Sequence, residues 1–541
     1  MKNKAWIKII VIAGAVLFGF IIGNILANKN LQNDGSNKFS LNGIFKNGGN
    51  TGKINQMLNI INSDYVDTIS IKNLTEELAG DLASTLDPHS VYISANDLQE
   101  VNSDLEGTFS GIGVQFNIQN DTVMIVSVIS GGPSEKVGLL AGDRIVKVDG
   151  KDFTGKTITN ERVLKTLRGA KGSKVTLTIY RNGTQDNLDY TVTRGDIPVN
   201  SVVAAYIIAP QTGFIRVDKF AQNTYAEFLN ALAQLHQQGA RKFIIDLREN
   251  SGGLMEQAIE MVNEFLPRGQ MIVYSKGKNY PYFEAKSDGK GSCINNPIVV
   301  LIDDFSASAS EIFSGAIQDN DRGLIIGRRS FGKGLVQQQF PLDDGSAFRM
   351  TVARYYTPSG RSIQKPYTRG KTADYEMDLV HRYENGEFDS KDKVKVADSL
   401  VYKTIGGRKV YGGGGIMPDI FVPRDTTEYS PFFNKTANSG YLIQFAFYYT
   451  DKNRETLNKF KSWKELQKYL DNQSLVNQFV TFSEGKGVKA AEKDVKTSNR
   501  LINNLLEAYI IRNIIGNEGF YPVFYQDDNV VKTAIRELQK K

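Results

Sequence analysis

The spacing of apolar and polar positions divides the chain into stretches of different character. From residue 53 to about residue 100 the apolar positions recur at helical intervals, through Met57, Ile60 and Ile61 and then Leu74, Leu78 and Leu82. This run reaches LDPHS at residues 86–90, where the proline ends a helix. Over residues 106–195 the period changes. Short β-rich runs (VMIVSVI, RIVKVDG, KVTLTIYRNG) alternate with glycine turns, and one helical pattern interrupts them near residues 161–167. The expectation is a small, partly open barrel with a helix beside it.

Residues 196–423 follow a third pattern. Continuous apolar runs at 242–247 (KFIIDL), 298–302 (IVVLI) and 324–327 are separated by helical patterns at about 254–266 and 309–320. Strands apolar on both faces, alternating with helices, predict a parallel α/β core. Residues 343–364 return to strands. Residues 366–410 are polar and charged, and read as an excursion from that core. Residues 424–541 predict a helix-rich region, with helical patterns at 453–470 and 497–515 and no readable motif.

The first 51 residues contain no globular pattern. Lys2, Lys4 and Lys8 precede an apolar run over residues 9–23, which predicts export with the amino terminus left inside. With its apolar flanks the run is about 23 residues, enough to cross a bilayer if Lys8 snorkels. The sequence ILA is a poor cleavage site, so residues 1–27 read as an anchor in preference to a removed signal. Residues 28–51, rich in Asn and Gly, read as a flexible tether, and residues 52–105 as an amino-terminal helical region.

Composition removes several alternatives. Hydrophobic residues make up 41% and charged residues 23%, as in ordinary globular protein. The net charge of +6 is small and dispersed, so nucleic acid is not an expected partner. The lone Cys293 allows no internal disulfide, and three scattered histidines (His89, His236, His381) form no zinc-ligand cluster. No metal or cofactor is expected.

The chemistry concentrates between Asp303 and Gln337. A strand end, a small-residue turn, a helix, a second strand and a lysine loop follow one another there. Ser306, Ser308 and Ser310 compete as nucleophile, each near a helix amino terminus whose N–H groups can stabilise an oxyanion. From Ser308, Glu311 and Asp319 lie three and eleven positions on, close to one helix face, where either can position a lysine ammonium. Ser308 with Glu311 is equally a capping box, S-x-x-E. With the histidines in unrelated settings, the candidate base is Lys333 in SFGKGLVQ. A lysine serves only when neutral, so its pKa must fall from about 10.4 toward neutrality, which burial promotes. Gln337 shares a face with Lys333 if that stretch is extended. The turn at 246–253 (DLRENSGG) supplies Gly252 and Gly253 as oxyanion donors beside the N–H of Ala309, or is an ordinary strand-to-helix turn.

Taken together, SASASE, FGKGLVQ and DLRENSGG resemble the motifs of the carboxy-terminal processing (tail-specific) proteases. So do LDPHS (86–90), YYTPSGRSIQ (355–364) and GGGIMPD (413–419). In that family the nucleophile and lysine are 25 positions apart. Here the same interval joins Ser308 to Lys333 and selects Ser308 among the three serines. The resemblance implies a Ser308–Lys333 dyad, Gln337 positioning the lysine, and an oxyanion hole from the glycine turn and Ala309.

It also implies a parallel βαβ core of the crotonase and ClpP type, with an inserted PDZ domain at 106–195. Gly111, Ile112, Gly113 and Val114 would form the carboxylate-binding loop, Val163 and Leu167 the walls of an apolar pocket, and Arg168 a link from peptide binding to activation. The implied substrate is a protein with a free apolar carboxy terminus, cut near that end in the bacterial envelope, with the catalytic part periplasmic. A homo-oligomer or an adaptor protein is compatible with this reading. Two rivals stand beside it: a non-catalytic PDZ adaptor, and an acyl-thioester enzyme of the crotonase type.

Overall fold

The computed structural model describes residues 51–119, 121–129, 131–181, 184–394 and 398–540. The anchor and tether, expected at 1–27 and 28–51, lie outside the described residues except for Thr51. Among the described residues no helix is long and apolar enough to cross a membrane.

The chain forms two units. One comprises residues 51–96 with Gln337–Thr351 and Tyr367–Asn385. Its helices Thr51–Asp64 and Ile71–Ser84 follow the expected periodicity, and Ser70 caps the second by accepting the Asn73 N–H. The expected helical stretch is interrupted by a strand, Val91–Ile93, paired antiparallel with Ala347–Arg349. Three residues are too few to leave a period, and their partner lies more than 250 positions away.

The second unit comprises Asp97–Val336, Val352–Pro366 and Gly386–Lys541. Its centre is a sheet of six strands in the order Val202–Ala209, Thr212–Val217, Lys242–Asp246, Ile298–Ile302, Leu324–Gly327 and Ile420–Phe421. The first pair is antiparallel and every other pair is parallel. Both faces are covered, and the strand period assigns alternate residues to each. Phe243, Ile245, Ile298 and Val300 meet the helices Thr224–Gln237, Met255–Asn263 and Ala309–Asp319. Ile244, Val299, Leu301 and Ile326 meet Tyr525, Val530, Val531, Ala534 and Leu538. The apolar runs in the sequence therefore report burial on two sides.

Residues 114–193 of the same unit form a second sheet, antiparallel throughout, in the order Val114–Gln119, Thr122–Val128, Arg144–Val148, Lys174–Tyr180, Leu188–Thr193. The helix Asn160–Leu167 accompanies it, capped by Thr159. Among the described residues the Val114–Gln119 strand pairs on one side only, which makes it a sheet edge. Among the described residues the carboxy-terminal part forms seven helices, the longest being Glu492–Ile515, with Phe445, Phe479, Ile502, Leu506 and Ile510 in a shared core. The periodicity at 453–470 spans two helices, Tyr441–Leu457 and Trp463–Leu470, because the intervening turn preserves the apolar spacing.

Candidate active site

Three loops leave the carboxyl ends of neighbouring parallel strands: 247–253 after Lys242–Asp246, 303–308 after Ile298–Ile302, and 328–334 after Leu324–Gly327. This is the edge at which open α/β sheets build their sites. Ser308 ends the middle loop and precedes the Ala309–Asp319 helix. Its backbone has φ +53° and ψ −114°, a region costly for any residue with a Cβ. A plain capping serine takes extended angles instead, so helix capping alone does not account for Ser308.

The neighbouring serines are committed elsewhere. Ser306 is 0% exposed and its hydroxyl donates to the Leu247 carbonyl at 2.7 Å. Ser310, also 0% exposed, donates to the Asn250 carbonyl at 2.9 Å. Both tie the nucleophile turn to the 247–253 loop, while Ser308 is half-buried at the turn's apex.

The oxyanion candidates converge on Ser308. A Cβ on Gly252 would fall 2.7 Å from the Ser308 Cβ and 3.0 Å from the Ala309 nitrogen. Gly252 has φ +105° and Gly253 φ +139°, and a Cβ on Gly253 would lie 2.1 Å from the Phe220 carbonyl oxygen. Both positions therefore demand glycine. The Gly252 N–H is already donated to Asn250 Oδ1 at 2.9 Å. Among the described residues no acceptor takes the N–H of Gly253 or of Ala309. Sequence left Gly252 and Gly253 equivalent; the hydrogen bonding distinguishes them.

Glu311 is fully buried. Its Oε2 accepts the N–H of Ser308 at 2.9 Å and the N–H of Lys333 at 2.8 Å, and its Oε1 accepts the N–H of Gly332 at 2.8 Å and the Ser330 hydroxyl. Burial pushes this carboxyl up to about 7, against the pull of hydrogen bonds from Ser330, Lys333, Gly332 and Ser308. Glu311 thus holds the backbone of the lysine loop, in contrast to the expected contact with an ammonium. Tyr355, unremarked within YYTPSGRSIQ, adds a second clasp. Its hydroxyl lies 3.1 Å from the Ser308 carbonyl oxygen and also bonds the Lys333 carbonyl.

Two expected roles change. Asp319 lies at the far end of the helix, roughly 16 Å from Ser308 at 1.5 Å per residue. It is committed to Arg361 at 2.7 Å, to the Ser359 N–H at 3.1 Å and to the Thr357 hydroxyl. It therefore belongs to a buried ion pair away from Ser308. Val163 and Leu167, expected on a pocket wall, are 0% and 4% exposed and lie in the core of the antiparallel module with Ile112. They face inward, against the sheet of that module.

The remaining positions fall as follows. Gln337 donates to the His89 carbonyl, within the other unit. Gly111 pairs with Gly195 in a two-stranded ribbon. Ile112 and Gly113 give their carbonyls to Ser134 and Ile129, each at 3.0 Å, and among the described residues neither N–H has an acceptor. Val114 begins the edge strand. Arg168 reaches Glu100 at 2.9 Å and covers the Phe109 ring at 4.7 Å. Cys293 is buried 3.4 Å from His236 Nε2, but burial pushes its thiol up to about 11, unsuited to nucleophilic work at neutral pH. Among the described residues no group of His, Cys, Asp and Glu is arranged to hold a metal.

Residues 211–377 match peptidase family S41, residues 110–192 match the PDZ domain, and residues 432–516 match a family of unknown function. The carboxy-terminal-processing protease of Bartonella bacilliformis is 38% identical, over 56% of this chain and 70% of its own length. The carboxy-terminal processing protease CtpA of Bacillus subtilis is 34% identical, over 74% of this chain and 85% of its own. A solved photosystem II D1 C-terminal processing protease aligns at 25% identity and a TM-score of 0.37, covering 70% of this chain and 88% of that one. The chain belongs to peptidase family S41, the carboxy-terminal processing proteases. It is accordingly a serine peptidase with a PDZ domain, built on a mixed α/β core.

Proposed function

We propose that Ser308 is the nucleophile and Lys333 its general base, in a protease that cuts proteins near a free apolar carboxy terminus. The observation that carries this is the division of labour among the serines. Ser306 and Ser310 are spent on carbonyls of the 247–253 loop, while Ser308 sits in a strained strand-to-helix turn. Neutral Lys333 takes the hydroxyl proton as Ser308 Oγ bonds the scissile carbonyl carbon. The N–H groups of Ala309 and of the glycine turn, Gly253 above Gly252, stabilise the oxyanion. The lysine ammonium returns its proton to the leaving amine, and water then releases the acyl group. Gln337 orients the lysine amine in this scheme.

The PDZ domain supplies substrate selection. The edge strand Val114–Gln119 accepts a peptide as an added strand, and the N–H groups of Ile112 and Gly113 capture its terminal carboxylate. Arg168, bridging to Glu100 and Phe109, links peptide binding to activation. The basic and apolar amino-terminal segment supports a membrane-anchored enzyme acting outside the cytoplasm, in a bacterial envelope.

The test is cleavage of a reporter with an apolar tail by the wild type, Ser308→Ala and Lys333→Ala. Both variants are expected to be inactive. Near-full activity in Lys333→Ala removes the dyad, and equal cleavage of free and amidated tails removes carboxylate recognition.

A further inference from the structure

The residues that shape the glycine turn are held by the last helices of the chain. Asp246 is 0% exposed and accepts three hydrogen bonds from Arg248: the N–H at 3.0 Å, Nε at 2.9 Å and Nη2 at 2.7 Å. The remaining arm of that guanidinium, Nη1, donates to Asp528 Oδ2 at 2.7 Å. The guanidinium carbon lies 4.8 Å from the centre of the Tyr525 ring. The Tyr525 hydroxyl in turn accepts a hydrogen bond from Arg216, whose Nη2 reaches Glu249 at 2.9 Å. Asp528 itself is fixed, because Oδ1 caps the Asn529–Gln539 helix through the Val531 N–H at 2.9 Å.

Arg248 and Glu249 lead directly into Asn250, whose side chain accepts the Gly252 N–H and whose carbonyl accepts the Ala307 N–H at 3.0 Å and the Ser310 hydroxyl. An unbroken path of bonds therefore runs from the carboxy-terminal helices to the amides beside Ser308. Residues 247–253 belong to no helix or strand; the core holds them through the Leu247 N–H to the Leu301 carbonyl, the Asn250 side chain to the Val217 carbonyl and the Phe220 N–H to the Gly252 carbonyl, and the Arg248 and Glu249 side chains tie the same loop to Tyr525 and Asp528. Glu249 takes a positive φ of +62°, which external contacts must sustain.

We propose that Asp528 and Tyr525 are positioning residues for hydrolysis, holding the oxyanion loop through Arg248 and Arg216. The helical tail is thereby part of the catalytic support. This rests on the reading of Ser308 and the glycine turn given above. A displaced loop loses transition-state stabilisation, with little effect on a substrate bound through its tail.

The test uses the full chain and an apolar-tailed reporter peptide. Asp528→Asn keeps a helix-capping side chain but loses the charge, and Tyr525→Phe keeps the ring but loses the hydroxyl. Each is expected to lower kcat about tenfold or more, with KM within about twofold and the chain still folded at the assay temperature, the thermal midpoint falling by no more than about 10 °C. Asp527→Asn, facing Arg500 and Lys532 on the surface, is expected to behave as wild type. Wild-type kcat in both Asp528→Asn and Tyr525→Phe overturns the proposal. So does a loss that tracks unfolding at the assay temperature, or a matching rise in KM. Ser308→Ala, assayed alongside, separates the two readings. If it is inactive while Asp528→Asn is normal, this inference alone fails; if it remains active, the site assignment fails and takes the inference with it.

Discussion

Ser308 and Lys333 donate their backbone N–H groups to one and the same oxygen atom, Oε2 of Glu311, at 2.9 and 2.8 Å. The two members of the proposed dyad are thus registered against each other by main-chain bonds, whatever their side chains do.

Removing that acceptor is expected to separate the pair. Glu311→Ala removes the acceptor of three N–H groups, that of Gly332 buried and those of Ser308 and Lys333 half-buried, at about 1–3 kcal/mol for each one left unsatisfied. A destabilisation of about 3 kcal/mol or more should appear in denaturant unfolding. Glu311→Gln keeps one acceptor oxygen, and is expected to remain folded while losing at least about tenfold in kcat.

Tyr355 acts on the carbonyl side of the same junction. Tyr355→Phe preserves the packing of a ring that is almost wholly buried and removes the hydroxyl bonded at the Ser308 and Lys333 carbonyls. The expected cost is about 1–2 kcal/mol in unfolding free energy. A fall in kcat with unchanged KM in steady-state cleavage would place the loss at the reacting centre.

The raised carboxyl of Glu311 makes stability depend on pH. A folded pKa of about 7 against an ordinary 4.5 means that the folded chain holds the proton more tightly than the unfolded chain. Its contribution is fully present below pH 4.5, declines as pH rises toward 7, and is absent above that. The full span corresponds to about 3 kcal/mol. Unfolding free energies of wild type and Glu311→Gln at pH 5 and pH 8 should differ in slope accordingly, with the wild type losing more at the higher pH.

Gly252 and Gly253 are expected to fail differently when given a methyl group. In Gly253→Ala the Cβ meets the fixed carbonyl of Phe220, so the loop cannot form and thermal stability falls. In Gly252→Ala the new Cβ presses on Ser308 and Ala309, so a serine-reactive probe should label poorly. A Gly253→Ala protein with wild-type melting and labelling would contradict the geometry.

Much of this site was readable in the sequence, because its parts are local. The strand, turn and helix around Ser308 lie within one stretch, and a fixed interval of 25 residues leads to Lys333. The apolar runs likewise revealed the parallel core, since strands covered on both sides cannot alternate. What stayed hidden depends on distant partners. Tyr355 meets Ser308 across 47 residues, and Asp528 meets Arg248 across 280. No periodicity encodes either pairing. Asp319 was misread for a related reason: helical spacing puts it on the face of Ser308 and Glu311 without showing that Arg361 already occupies it. Val163 and Leu167 were named as pocket walls from the resemblance alone, which places the helix but does not tell which of its apolar residues fill the core.

The backbone angles of Ser308 also restrict which chemistry can replace it. At φ +53° and ψ −114° a side chain branched at Cβ meets its own main chain on two sides. Threonine, though it carries the same hydroxyl, is more strained than serine in this turn, whereas cysteine is unbranched and of similar size. Ser308→Cys is therefore expected to fold as the wild type does, and Ser308→Thr to lower the thermal midpoint.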